Sequence, residues 1–172
     1  MNVGKVFEGE FKASIPKHFY YLRINDPAVG FSGGNSQFAP KNPYDFILFD
    51  VKLYCLELKS TASSLTFWQE RFEEPGKRKT FEIRKHQING LTDAAKHENV
   101  FAGFLFNFRK KNTTVYVPIH KFNEFAATTT KKSINCDDAL AYGFPVDSRQ
   151  LKVHYRYDIE KMCKEAIAFG KQ

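Results

Sequence analysis

The stretch Leu53-Tyr54-Cys55-Leu56-Glu57-Leu58-Lys59 sets an acid and an ammonium two residues apart inside an otherwise apolar run. In an extended strand, alternation puts Glu57 and Lys59 on one face, with Leu56 and Leu58 on the other. Just upstream, Tyr44-Asp45-Phe46-Ile47-Leu48-Phe49 is a second strand-like run, and Asp50-Val51-Lys52 between them predicts a β-hairpin. With the hairpin centred on Val51, Phe49 pairs with Leu53 and Asp45 falls opposite Glu57, each six residues from the centre. Cross-strand partners on one face have Cβ atoms roughly 5 Å apart. Two ionised carboxylates that close repel each other, a poor choice for structure alone. A divalent cation removes the conflict, because hard oxygens are what Mg²⁺ coordinates. Lys59 would then orient an attacking water or stabilise phosphorane charge. Together these are the parts of metal-assisted phosphodiester hydrolysis. A lone Glu-x-Lys in a strand is usually a solvated edge with a cross-strand ion pair. Asp45, the hairpin and the flanking leucines favour the catalytic reading.

Five of the nine residues Lys77–Lys85 are basic: Lys77, Arg78, Lys79, Arg84 and Lys85. Such a run is usually a solvated turn, but this one ends beside Gln87, close to the candidate site, so phosphate contact is the better reading. Pro75-Gly76 would turn the chain outward there. Arg109-Lys110-Lys111 and Lys131-Lys132 add further charge, and the whole chain of 172 residues carries a net +7. That surplus favours an anionic partner. The Phe-rich strands read as core, with Phe31 and Trp68 as candidate wedges at a branch point.

These side chains need a scaffold. Val3, Phe7 and Phe11 repeat at helical spacing, with Pro16 as a stop. Asp26–Ser36 is Gly-, Ser- and Asn-rich and reads as a loop. After the hairpin come a strand at Leu65–Trp68, a helix from Ile83 to His97, and strands at Val100–Phe108 and Thr113–Pro118. A short helix follows at Ile119–Phe125, and Asn135 caps another through Tyr142. Leu151–Tyr157 reads as a strand, and Asp158 caps a last helix, Ile159–Phe169, that Gly170 ends. The sum is one α/β domain. The longest apolar runs are far short of the roughly 20 residues that span a bilayer. Cys55, Cys136 and Cys163 show no zinc or disulfide spacing, and the start lacks a secretory signal, so a cytoplasmic protein is expected.

Asn42-Pro43-Tyr44-Asp45…Glu57-Leu58-Lys59 resembles the PD-(D/E)xK nuclease signature, closest to the RecU-type Holliday junction resolvases. Gly4-Lys5-Val6-Phe7-Glu8 is similar to that family's first helix, and Lys85-His86-Gln87 to its His-Gln pair after the core hairpin. The likeness covers nearly the whole chain, as a single restriction-endonuclease-like domain (1–172) with a central mixed β-sheet flanked by helices. It implies Asp45, Glu57 and Gln87 as metal-site residues, Lys59 as the transition-state stabiliser and Glu8 as an accessory acid. It also implies Mg²⁺, with Mn²⁺ able to substitute, branched four-way DNA as substrate, a homodimer, no membrane and no small-molecule cofactor. Pro43 stands where the family has a hydroxyl. Trp68–Lys79 is an apparent hairpin-like insertion, and the Arg23–Lys41 stalk is short, as a compact phage-borne version would have. The alternatives are another DNase on this core, of restriction or repair type, and a non-catalytic DNA-binding module.

Overall fold

The computed structural model describes residues 2–24, 42–73 and 80–170. The first helix is α1 (Val3–Lys12), capped by the Asn2 side chain, which accepts the Gly4 N–H at 3.1 Å. It is followed by β1 (Tyr20–Arg23), β2 (Phe46–Phe49), β3 (Leu53–Thr61) and β4 (Ser64–Thr66). A 3₁₀ turn at Glu70–Phe72 precedes α2 (Lys85–Ala94), β5 (Val100–Phe108), β6 (Thr113–Pro118) and α3 (Ile119–Thr128). Then come β7 (Ser133–Asn135), α4 (Cys136–Ala141), β8 (Phe144–Pro145), β9 (Ser148–Gln150), β10 (Tyr155–Tyr157) and α5 (Ile159–Phe169).

Six strands form one sheet in the order β1-β2-β3-β5-β6-β8. The β3–β5 pair is parallel and the other pairs are antiparallel. Mixed pairing follows from connectivity: β2 and β3 share a tight hairpin, whereas β3 reaches β5 only through the α2 crossover. Phe46, Leu48, Leu56 and Leu58 face a core shared with Phe7 and Phe11 of α1 and Met162 and Ala166 of α5. Cys55, Phe104 and Phe106 face a second core with Leu91 of α2 and Phe122 of α3. The expected α/β architecture, a central mixed sheet flanked by helices, is present. No helix among the described residues is long and apolar enough to cross a membrane.

The hairpin register is the expected one, Phe49 opposite Leu53. Strand β2 starts at Phe46, later than its apolar pattern suggests, because the Asp45 N–H turns to the Leu56 carbonyl (3.0 Å). The helix expected from Ile83 begins at Lys85. Ile83 instead bridges Phe67, accepting from the Trp68 N–H and donating to the Thr66 carbonyl, both at 2.9 Å. The single strand expected over Leu151–Tyr157 is a hairpin of β9 and β10. Its turn is closed by the Leu151 N–H on the His154 carbonyl at 2.7 Å. Leu151 and Val153 stay exposed there, so their apolarity marked no buried face. In the Trp68–Lys79 segment the described part is the 3₁₀ turn, with Phe72 buried, and 74–79 lie outside the described residues.

Candidate active site

Glu57 sits in the middle of β3, 2% exposed, beside Phe104 of the parallel strand β5. A charge in that position must be paired. The Lys59 ammonium lies 2.9 Å from Glu57 Oε1, and the Gln87 side-chain N–H donates to the same oxygen. Burial pushes the Glu57 carboxyl up to about 8. Lys59 opposes the rise, and the nearby charges of Asp45 and Glu8 add to it. Gln87 also makes a second bond, in which its Oε1 accepts the Arg84 N–H at 2.9 Å and closes the first turn of α2. One amide therefore ties the start of α2 to β3, with its N–H toward the acid.

Asp45 comes from the residue just before β2. Its Oδ2 accepts the Leu58 N–H at 2.8 Å, and its backbone oxygen accepts the Ile24 N–H at 2.8 Å. Burial raises its pKa; the Leu58 N–H and the Lys59 and Arg23 charges lower it, and Glu8 raises it. The Asp45 charge thus reaches Glu57, although the Asp45 backbone bonds to Leu56 and ladder pairing stops at Phe46, one residue short of the expected Asp45–Glu57 pair. The segment is held from outside by an unexpected contact. A Cβ placed on Gly90 of α2 would lie 2.3 Å from the Pro43 Cβ. Pro43, which offers no hydroxyl, instead docks the Asp45 approach directly on the helix that carries Gln87.

Glu8 reaches the same acids from α1 and is itself held by Arg23 of β1, whose Nε and Nη2 lie 2.9 and 2.5 Å from Glu8 Oε2. Arg23 belongs to the site, and no local sequence signal marks it; only the pairing of β1 with β2 brings it there. Glu8, Asp45, Glu57, Lys59 and Gln87 are therefore brought together by α1, the approach to β2, β3 and α2, with β1 supplying Arg23.

Arg84 and Lys85 are exposed at the start of α2, beside Gln87. The Lys85 ammonium lies over the Trp68 ring, 4.4 Å from its centroid, and the Trp68 indole N–H donates to Glu73 at 2.5 Å. Lys77, Arg78, Lys79 and Phe31 lie outside the described residues. The Arg109–Lys111 turn stands at the same end of the sheet, because β3 and β5 are parallel. It is tethered by the Lys110 N–H on the Ala62 carbonyl at 3.4 Å, and closed by Asn112 in the left-handed region (φ 48°).

Among the described residues no group of three or more His, Cys, Asp or Glu side chains is placed to hold a metal. The donor set is two carboxylates, Asp45 and Glu57, with an amide beside them. Both acids have raised pKa values, and the Asp45 charge adds to the rise at Glu57. A small set of hard carboxylate oxygens suits Mg²⁺, and a cation there would relieve the repulsion.

The site and fold so described are those of an α/β protein with an acid–lysine constellation at the sheet's centre. No protein-family model matches the chain. Over 181 aligned residues it is 31% identical to the SPbeta prophage-derived uncharacterized protein YotM of Bacillus subtilis (strain 168), covering 96% of this chain and 87% of the relative. The chain belongs to the family of that prophage protein. Among solved structures it is similar to Hjc, a Holliday junction resolvase of Archaeoglobus fulgidus, with TM-score 0.45 and 12% identity over 74% of this chain and 83% of the other.

Proposed function

We propose that the chain is a Mg²⁺-dependent endodeoxyribonuclease that cuts four-way DNA junctions as a homodimer, a RecU-like Holliday junction resolvase. The observation that carries this reading is Glu57: a carboxylate sealed in the sheet, bonded to Lys59 and Gln87, with two further acids in its field. A structural Glu–Lys pair gains nothing from Asp45 and Glu8 beside it.

Asp45 and Glu57 would hold the metal, with Gln87 alongside. When bound, Mg²⁺ or Mn²⁺ would supply Lewis-acid polarisation of the phosphate and a more acidic water. Lys59 places its ammonium where negative charge grows in the transition state. Gln87 fixes the Glu57 side chain against α2, and Glu8, anchored by Arg23, adds negative potential that favours a cation. Arg84, Lys85, Arg109 and Lys110, with Lys77, Arg78 and Lys79, would contact phosphates. Symmetric cutting of a four-way junction needs two sites related by a two-fold axis, hence a homodimer. The prophage setting of YotM suits a phage-borne enzyme working in the bacterial cytoplasm.

A mobile four-way junction and a duplex of matched sequence, each given enzyme and Mg²⁺, test the proposal. Faster cutting of the junction, with paired nicks in opposing strands, is expected. Equal cutting of both would make the chain a duplex DNase on the same core. Binding without any cut, in Mg²⁺ or Mn²⁺, would make it a DNA-binding module.

A further inference from the structure

A cavity of about 350 Å³ opens at the strand ends on the α1 side of the sheet. Val3 and Val6 of α1, Ser60 of β3, Asn107 and Arg109 at the end of β5, and Tyr155 of β10 are among its walls. Its volume is at the small end of ligand pockets, room for a single nucleoside and not for a duplex. Ser60 follows Lys59 directly, and strand alternation turns it to the opposite face. The cavity therefore adjoins the acid–lysine site through one residue of strand, while sharing none of its side chains.

Asn107 is set for recognition. Its Oδ1 accepts from the Ser60 hydroxyl at 3.0 Å, and its Nδ2 donates to the Thr114 hydroxyl at 3.0 Å. A side-chain amide has two N–H donors and an oxygen with two lone pairs. One donor and one acceptor of Asn107 therefore remain unused among the described residues, in an orientation that two hydrogen bonds already fix. An adjacent donor and acceptor on a fixed amide is the arrangement with which asparagine reads a base edge. Tyr155 offers an aromatic wall, and its backbone N–H is pinned by Glu10 Oε1 at 3.1 Å. Val3 and, at the mouth, Val153 leave apolar surface in water, 42% and 76% exposed. Arg109 is exposed on the rim, with no ion pair among the described residues.

We propose that this cavity takes one nucleobase, unstacked from the nucleotide next to the cleaved phosphate. Asn107 reads its edge, Tyr155 flanks its ring and Arg109 meets the neighbouring phosphate. The inference rests on the nuclease reading above. A branch point is where extrusion costs least, because the base there has already lost part of its pairing. The consequence is a base preference at one position beside the nick. Adenine is the expected favourite, since its N6/N7 edge matches the spare amide donor and acceptor.

Two measurements on the full chain test this. Junctions carrying each of the four bases at each position flanking the nick should be cut with a preference of about tenfold or more at one position. Asn107→Ala should flatten that preference, and Asn107→Asp, which trades the donor for an acceptor, should move it toward cytosine, a change that loss of packing would not produce. In EDTA, with the DNA bound and uncut, the fluorescent 8-vinyladenine, which keeps the N6 amino group and N7, should brighten several-fold at that same position. Cutting with no flanking preference, and quenched 8-vinyladenine at every position, would overturn the pocket and leave the nuclease reading standing. Failure of the wild-type chain to cut any branched DNA would overturn both.

Discussion

At the scale of single residues, a carboxylate enclosed beside Phe104 holds its proton longer than a solvated one, and this sets a measurable pH dependence for Glu57. In the unfolded chain the group titrates near 4.5, and in the fold at about 8. Between those values the unfolded chain gives up its proton first. Stability is therefore full below about 4.5 and is lost as pH rises toward about 8, by up to ~1.4 kcal/mol per pH unit. Urea unfolding in EDTA at pH 5 and pH 8.5 should show the wild type weaker at the higher pH, and Glu57→Gln should remove most of that difference. A wild type equally stable at both would mean that Glu57 is not desolvated as described. Lys59→Ala leads to a different expectation. Without its ammonium Glu57 takes a proton instead of remaining a stranded charge, so the fold survives. The cleavage rate should fall on the order of a hundredfold, with DNA affinity nearly unchanged. A drop that merely tracks affinity would make Lys59 an ordinary phosphate contact. The alternation of Glu57 and Lys59 against Leu56 and Leu58 was legible from sequence. The depth of Glu57 was not, because burial depends on Phe104 arriving from a strand more than forty residues away.

Elements position these groups, and their boundaries were legible where local chemistry decides them. Asp158 and Gly170 delimit α5 as their types suggest, and Asn135 caps α4 with its side chain accepting the Asp138 N–H at 2.9 Å. Boundaries decided by distant pairing were hidden: the late start of α2 beyond Ile83, the β9–β10 turn, and Arg23 beside Glu8. The Pro43–Gly90 contact was hidden for the same reason, and it gives a prediction at this scale. In an exposed helix interior Gly→Ala gains up to about 1 kcal/mol. At Gly90 the new methyl would meet the Pro43 Cβ at 2.3 Å. Overpacking of that kind costs about 1–3 kcal/mol, so Gly90→Ala should unfold at lower urea and cut more slowly, as α2 and Gln87 are pushed from Asp45. A stabilised Gly90→Ala with normal turnover would show that the approach is not tight.

For the whole molecule, the +7 charge has to be arranged to matter, and the described cations at the start of α2 and in the Arg109–Lys111 turn share one end of the sheet with the site. A larger cavity, of about 710 Å³ near Arg149 and Arg156, lies at the far end of α1, and no residue of the acid–lysine site lines it. Neutralising Lys77, Arg78 and Lys79 together should weaken junction binding and flatten the salt dependence of log K, by roughly 0.9 in slope per lost phosphate contact. Single-turnover cleavage at saturating enzyme should stay near normal; an unchanged salt slope would assign the DNA contacts elsewhere, with Arg109–Lys111 next. The nuclease proposal stands on Asp45 and Glu57 performing metal-dependent phosphodiester hydrolysis. Its most direct test is single-turnover cleavage of a prebound four-way junction by wild type, Asp45→Asn and Glu57→Gln at saturating enzyme and Mg²⁺. Both variants should bind the junction as well as the wild type or better, and both should lose cleavage. Cleavage at the wild-type rate in either variant would contradict the proposal.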